Sequence, residues 1–320
     1  MINMELTYWY TFECIPGSTI KRERKNRLYV DYFRSHVNNE KEKVCSRVSL
    51  VDFYDDTEYL NSHLTPDELS AINESKVQLP NSSFIVEDLL SQGYNLIPLD
   101  SPNYPDSIKK KLKLKSPLLL YVKGNMDFLT APATAMGGCR KATQVSLDFA
   151  SSMAKKAVSE AKVVVSGDAK GIDQMGQLTA LENGGACIIV LPQGITTYNS
   201  GFRKYHKYYV DGRLLVISTF PPKATWNAGF AMERNRYVYG LASEIYVAES
   251  DSKGGTWEGV VDGLKVNSMI YVRYPDKAEN NANLKLIDMG ANAIDMDGRP
   301  VEYIKTDDNQ VEEPTLPFPD

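Results

Sequence analysis

Two glycine-bearing stretches hold the residues with the clearest chemical potential. Gly137-Gly138-Cys139-Arg140-Lys141 follows a run of small apolar residues, and Ser166-Gly167-Asp168-Ala169-Lys170-Gly171-Ile172-Asp173 follows Val163-Val164-Val165. Each has the layout of a strand, a turn and then a helix. Glycines in such a turn let backbone N–H groups approach a phosphate, and the helix N-terminus adds partial positive charge. Arg140 and Lys170 put cations beside those glycines, with Lys141 adjoining; arginine engages phosphate with two parallel hydrogen bonds, lysine as a point charge. The plainer reading stands beside this one: Gly167 and Gly171 as ordinary turn glycines needing positive φ, and Lys170 as a solvated surface residue. Asp173, at the start of a helix-like pattern, has capping as its simplest role.

Three further segments belong to the same question. Pro192-Gln193-Gly194 follows a third apolar run, and Ser252-Lys253-Gly254-Gly255-Thr256 places two glycines and two hydroxyls before a helix-like segment at Trp257. Glu233-Arg234-Asn235-Arg236 offers two guanidinium groups and an amide, as structural ion pairs or as a second phosphate clamp. Basic segments at Lys109-Lys110-Lys111 and Arg203-Lys204 complete the cationic inventory. Near the latter, Tyr198, Phe202 and Tyr205 are candidates either for stacking on bases or for packing in the core.

From Ala133 the chain alternates apolar strands with helix-length segments. Strands are expected at Ala133 to Gly137, Lys162 to Ser166, Cys187 to Leu191, Leu214 to Ser218, Glu244 to Ala248 and Met269 to Val272. Helices are expected at Val145 to Ala161, Gly171 to Glu182 and Ala231 to Ala242. Near-continuous apolar strands separated by helices predict a doubly wound, mainly parallel sheet covered on both faces. Ligands of such sheets bind beyond the carboxyl ends of the strands, at the point where strand order reverses, and the glycine turns fall there. Residues 1–92 read as a small helical domain, with Thr65 as N-cap, Pro66 at the first helical position and Glu68 three residues on. Pro102, Pro105 and Pro117 punctuate a connector that ends in the strand-like Leu118 to Val122. Residues 93–305 then form the sheet domain, and 306–320 an acidic, Pro-rich flexible tail in which Leu316-Pro317-Phe318-Pro319 is a minor candidate for partner docking.

The 320 residues are 42% hydrophobic and 24% charged, with a net charge of −5. Bulk charge therefore excludes general polyanion binding, and any nucleic-acid site must be a local basic patch on an acidic body. No apolar run approaches membrane-spanning length, and Met1-Ile2-Asn3-Met4-Glu5 lacks a signal-peptide layout, so a cytoplasmic setting away from membranes is expected. Cys14, Cys45, Cys139 and Cys187 are scattered and read as reduced thiols; with His36, His63 and His206 they form no zinc spacing, and no metal or cofactor is expected.

From Asn95 to about Ala293 the chain resembles the DprA/Smf family of DNA-processing proteins. The resemblance runs in order through Tyr104-Pro105, Leu120 to Asn125, Gly138 to Thr143, Ser166 to Asp173, Ala180 to Gly185, Val190 to Gly194, Arg234 to Arg236, Ala248-Glu249 and Asn283 to Ala291. It implies an extended Rossmann fold that binds single-stranded DNA, usually dimerises and helps load a RecA-type recombinase. It also implies a DNA-phosphate pocket at Gly138, Arg140, Ser166, Gly167, Lys170 and Gly171. The chain departs from the family's pattern at Gln177, where a histidine is usual, and at Tyr198-Asn199, where Tyr-Pro is usual. Lys253 to Glu258 is instead similar to a turn of the lysine-decarboxylase-like nucleotide phosphoribohydrolases. That similarity makes Glu258 the one catalytic candidate and nucleotide binding or N-glycoside hydrolysis the alternative activity. A DNA-sensing antitoxin or interaction protein of a phage-defence module, with a toxin partner, is the third reading.

Overall fold

Runs of buried β-branched residues set the architecture. Val163, Val164 and Val165, Cys187 to Val190 and Leu214 to Ser218 are buried without alternation, which a strand tolerates only when both of its faces are covered. The computed structural model describes residues 3–37, 48–266 and 268–303; Cys45 and the tail from residue 304 lie outside them. Among the described residues, nine strands form one sheet: β1 (Asn95–Pro98), β2 (Leu119–Gly124), β3 (Ala133–Gly137), β4 (Val163–Ser166), β5 (Cys187–Val190), β6 (Leu214–Ser218), β7 (Glu244–Val247), β8 (Met269–Arg273) and β9 (Asn292–Ile294). Their order is β1-β2-β6-β5-β4-β3-β7-β8-β9. Pairing is parallel from β6 across to β9, and antiparallel where β2 meets β6 and β1 meets β2.

That order is the expected doubly wound sheet. The chain steps outward from β3 through β4 and β5 to β6, then returns to lay β7 on the other side of β3, with Gly137 opposite Val247. The strand order therefore reverses between β3 and β7. The short β9 and the antiparallel pairing of β1 and β2 are the parts that alternation alone did not mark.

The helices divide between the faces. Among the described residues, six precede the sheet: α1 (Met4–Cys14), α2 (Arg22–Val37), α3 (Leu50–Asp55), α4 (Thr57–His63), α5 (Pro66–Val77) and α6 (Leu79–Ser91). Their Trp9, Phe12, Phe53 and Tyr54 share a core with α8 (Gln144–Ser159) and α9 (Ile172–Glu182) against Tyr121, Val164 and Ile189. The opposite face carries α7 (Asp106–Leu112), α12 (Ala228–Leu241), α13 (Gly255–Lys265) and α14 (Asn283–Asp288), packed on Ile188, Leu215 and Val272. The short helices α10 (Asn199–Lys204) and α11 (His206–Val210) lie between β5 and β6. No described helix is long and apolar enough to cross a membrane.

The start of α5 is capped as its sequence requires: Thr65 Oγ1 accepts from the Glu68 N–H at 3.3 Å, and the Glu68 carboxylate accepts from the Thr65 N–H at 3.0 Å. The basic stretch of α2 is spent inside the chain. Arg22 donates to Glu233 at 2.7 Å and to the Tyr237 hydroxyl at 2.6 Å, joining α2 to α12. Lys25 donates to the carbonyls of Glu13 and Ile15 at the end of α1, at 2.8 and 2.6 Å. Arg24 donates to both carboxylate oxygens of Glu68, at 2.8 and 2.9 Å.

Those bonds from Arg24 hold the Glu68 carboxyl below the usual carboxylate range. A carboxyl depressed in the folded chain contributes stability that is complete above its unfolded pKa of about 4.3 and is lost as pH falls through the folded value. The urea midpoint of the native chain should therefore fall more steeply than that of Glu68→Gln between about pH 5 and pH 3. Parallel midpoint curves for the two chains would show that the pair contributes nothing in solution.

Candidate functional site

The two glycine turns meet at the strand-order reversal and lock into each other. A Cβ on Gly138 would lie 2.5 Å from Ile172 Cγ1, so the first turn rests directly on the start of α9. Gly171, at φ +86°, is pressed onto the first turn in return: a Cβ there would lie 2.6 Å from the Cys139 carbonyl oxygen and 2.8 Å from that of Arg140. The loop after β7 closes the arrangement. The Cys139 N–H donates to the Glu249 carbonyl at 3.1 Å, Thr256 Oγ1 to the Gly138 carbonyl at 3.1 Å, and Asn235 Nδ2 to the Gly255 carbonyl at 3.0 Å. Between these turns and α12 lies a cleft of about 650 Å³. The helices α9 and α13 begin beside it at Gly171 and Gly254, neither with a side chain capping its N-terminus. Helix N-termini left in this way present partial positive charge.

Beneath the second turn sits a buried guanidinium. Arg234 is 5% exposed and donates to the Val190 carbonyl at 2.8 Å. Burial pulls its pKa down, while the Asp173 carboxylate acts in the opposite sense. A Cβ on Gly167 would fall 1.3 Å from Arg234 Nη1, so glycine is required at 167 for room rather than for a special φ. Asp173 accepts from the N–H groups of Gly167 and Ala169 at 3.1 and 3.4 Å. It thus holds the preceding turn and does not cap its own helix. Burial raises its pKa, against the pull of Arg234.

Asp168, at φ +53°, is the strained residue of this turn. Its carboxylate accepts from the hydroxyls of Tyr198 and Tyr205, the latter at 2.6 Å, and lies 3.6 Å from Lys204 Nζ. Both tyrosines are buried, and burial with the neighbouring Asp168 charge drives their pKa values up. Of the two uses weighed for them, core packing is the one observed. Phe202 is partly buried and packs edge-on to Tyr94, Tyr198 and Tyr209.

The remaining candidates sort by position. Arg140, Lys141, Lys170 and Lys253 are exposed, and Arg140, Lys141 and Lys253 line the cleft. Ser166 is fully buried at the end of β4. Arg234 and Asn235 serve as supports, whereas Arg236 is exposed beside the groove between α12 and α13. Gly194 is removed from the cleft: its N–H donates to the Ala224 carbonyl at 2.8 Å, and a Cβ would lie 2.2 Å from the Pro222 carbonyl oxygen. Arg203 and Lys204 are exposed on α10, and Lys111 is turned inward to the carbonyls of Tyr239 and Ala242 at the end of α12. Glu258, expected to face the same pocket as the glycine turns, instead lines a neighbouring groove between α12 and α13 with Arg236 and Asp262.

Acidic groups border the cleft as well. The Glu249 carboxylate accepts from the Thr143 N–H and hydroxyl at 3.1 and 2.9 Å. The Cys139 thiol lies 3.7 Å from the Asp251 carboxylate, and burial followed by that charge pushes its pKa up to about 11. It is therefore a protonated thiol at neutral pH, a poor nucleophile. Asn283, which sequence motifs marked only as part of a longer match, anchors this rim: it accepts from the Ser250 N–H at 3.0 Å and donates to the carbonyls of Ala248 and Arg273. Gln177, standing where the family's histidine is usual, is fully buried on α9.

Residues 95–304 match the family model described as DNA recombination-mediator protein A. The DNA processing protein DprA of Streptococcus pneumoniae R6 is 32% identical over 141 residues, 44% of this chain and half the length of that relative. The X-ray structure of DprA from S. pneumoniae superposes with a TM-score of 0.65 at 21% identity, covering 92% of this chain and 95% of its own. A Helicobacter pylori DNA processing protein A structure, described for its single-stranded DNA binding mode, superposes at 0.55 with 24% identity, over 62% of this chain and 90% of its own.

The contact between Gly167 and Arg234 yields a direct test. Gly167→Ala should lower unfolding stability by about 3 kcal/mol or more, at the upper end of overpacking penalties, because its methyl group overlaps a buried guanidinium. Gly254→Ala, at φ +97° with open space around it, should cost only about 1 kcal/mol of backbone strain. Equal urea-derived losses at the two positions would contradict the packing described.

Proposed function

The chain belongs to the DNA recombination-mediator protein A family, and on that premise we propose that it binds single-stranded DNA in DNA processing and recombination, gripping the backbone at the interlocked glycine turns. One observation carries the reading: the two turns are locked together with exposed Arg140, Lys141 and Lys170 on their outer side and two helix N-termini without side-chain caps beside them. Backbone N–H groups, helix dipoles and an arginine fork suit a phosphodiester, and none of them reads a base. Binding of this kind is tolerant of sequence and sensitive to salt.

The choice of a single strand is supported by the charge around the cleft. Glu249 and Asp251 stand on its rim, and the whole chain carries −5. A narrow cationic track between acidic shoulders accommodates one line of phosphates and offers no broad basic face to a duplex. The reading extends, on family grounds, to a homodimer working in the cytoplasm with a RecA-type recombinase as partner. Nucleotide hydrolysis draws no support from the position of Glu258, which faces the α12–α13 groove.

Titration of a labelled oligo-dT at several salt concentrations tests the assignment. Arg140→Ala should weaken binding to all sequences alike and reduce the slope of log K against log salt by about 0.7, the share of one single-strand phosphate. An Arg140→Ala chain that is folded and binds with unchanged affinity and slope would remove the turn from the interface. Glu258→Gln should leave binding unaltered, and native chain incubated with nucleoside monophosphates should release no free base.

A further inference from the structure

Trp226 is the largest exposed aromatic side chain beside the cleft and has no part in the core. It is 52% exposed and lines the cleft together with Arg140, Lys141 and Lys253. The chain's other tryptophans are placed differently: Trp9 is fully buried, and Trp257 packs partly buried against the core.

The backbone that carries Trp226 is fixed on both sides. Upstream, the Ala224 N–H donates to the Pro221 carbonyl at 2.8 Å, and the Ala224 carbonyl accepts from Gly194. The Pro222 carbonyl accepts from both the N–H and the hydroxyl of Thr196. Downstream, Asn227 caps α12 by accepting from the Phe230 N–H at 2.8 Å. Phe220 and Phe230 stack at 4.1 Å at the two ends of the segment. An indole on a pinned backbone keeps its position when solvent is replaced by a ligand, so little ordering entropy is lost on binding. Met232, 40% exposed one turn into α12, extends the apolar surface along the same wall.

We propose that Trp226 is a stacking platform for a nucleobase of the strand whose phosphates lie on the glycine turns, with Met232 forming the adjoining wall of the base subsite. The inference rests on the single-stranded DNA reading above and deepens it. The turns supply the backbone contacts; an aromatic face beside them supplies contact to any base, since every base offers a π-face. The cations lining the same cleft favour a polyanion over an apolar peptide as the occupant, because a phosphate must sit within reach of a stacked base.

Two oligonucleotides of equal length separate the two contributions: oligo-dT and an abasic tetrahydrofuran strand with the same phosphates, titrated by fluorescence anisotropy against the full chain. Native protein should bind oligo-dT more tightly than the abasic strand. Trp226→Ala should weaken oligo-dT binding about ten-fold, equivalent to about 1.4 kcal/mol, while leaving abasic binding and the salt slope unchanged. Trp226→Phe should recover most of the loss. Equal weakening on both strands, or none on either, would overturn the base subsite while leaving backbone binding intact. Failure of the native chain to bind either strand would instead remove the reading on which the subsite rests. Because Trp226 stands outside the core, the urea midpoint of Trp226→Ala should match that of the native chain, and a lowered midpoint would mark the residue as structural.

Discussion

Everything at the reversal point of the sheet depends on a guanidinium held where no side chain can cover it. Arg234 reaches from α12 to the end of β5 and passes over Gly167, where a Cβ would overlap its guanidinium. Burying a charge is expensive unless it is paired and hydrogen-bonded, and leaving one partner alone costs several kcal/mol. Arg234 is placed against the Val190 carbonyl and within the field of Asp173, and Asp173 in turn fixes two N–H groups of the turn above. Arg234, packed under Gly167, and Asp173, through the two N–H groups it accepts from, therefore set the shape of the loop that presents Lys170 and Gly171. The conformation is supported from below, by packing.

The same logic runs outward through Asp168. A non-glycine residue at φ +53° is retained because its carboxylate is tied to Tyr198 and Tyr205 from the next βα unit. The turn after β4 is thus held by α12 on one side and by the segment after β5 on the other. The turn after β3 is held by the loop after β7. Each turn of the candidate site is held by segments that belong to other βα units.

The fold was legible because doubly buried strands advertise themselves: Val163 to Val165 and Cys187 to Val190 need no periodicity to be recognised. The glycine turns were legible because each follows such a run. What motif reading missed was direction. Arg234, Asn235 and Arg236 look alike as a cationic cluster, yet helical spacing puts Arg234 on the stripe of Ala231, Val238 and Leu241, all buried, and turns Arg236 to solvent. Glu258 was misplaced for the same reason, since its facing depends on where α13 begins. Tyr198 and Tyr205 gave no sequence signal for their bond to Asp168, because the partner lies thirty or more positions away. In the basic run of α2, each of Arg22, Arg24 and Lys25 has an internal acceptor that only the tertiary fold supplies.

The margins of the sheet bear on how copies of this protein can associate. At one margin β1 is four residues long and ends in Pro98, which has no N–H to donate. At the other, β9 is three residues long, and the chain folds back over it: the Val301 N–H donates to the Ala293 carbonyl, and Ile294 bridges Pro300. Short, proline-ended or self-covered borders give an incoming strand almost nothing to zip onto. Growth of the sheet from molecule to molecule is therefore blocked at both ends, and the protein is protected from edge-to-edge polymerisation. The surfaces left for association are those of the helices and loops.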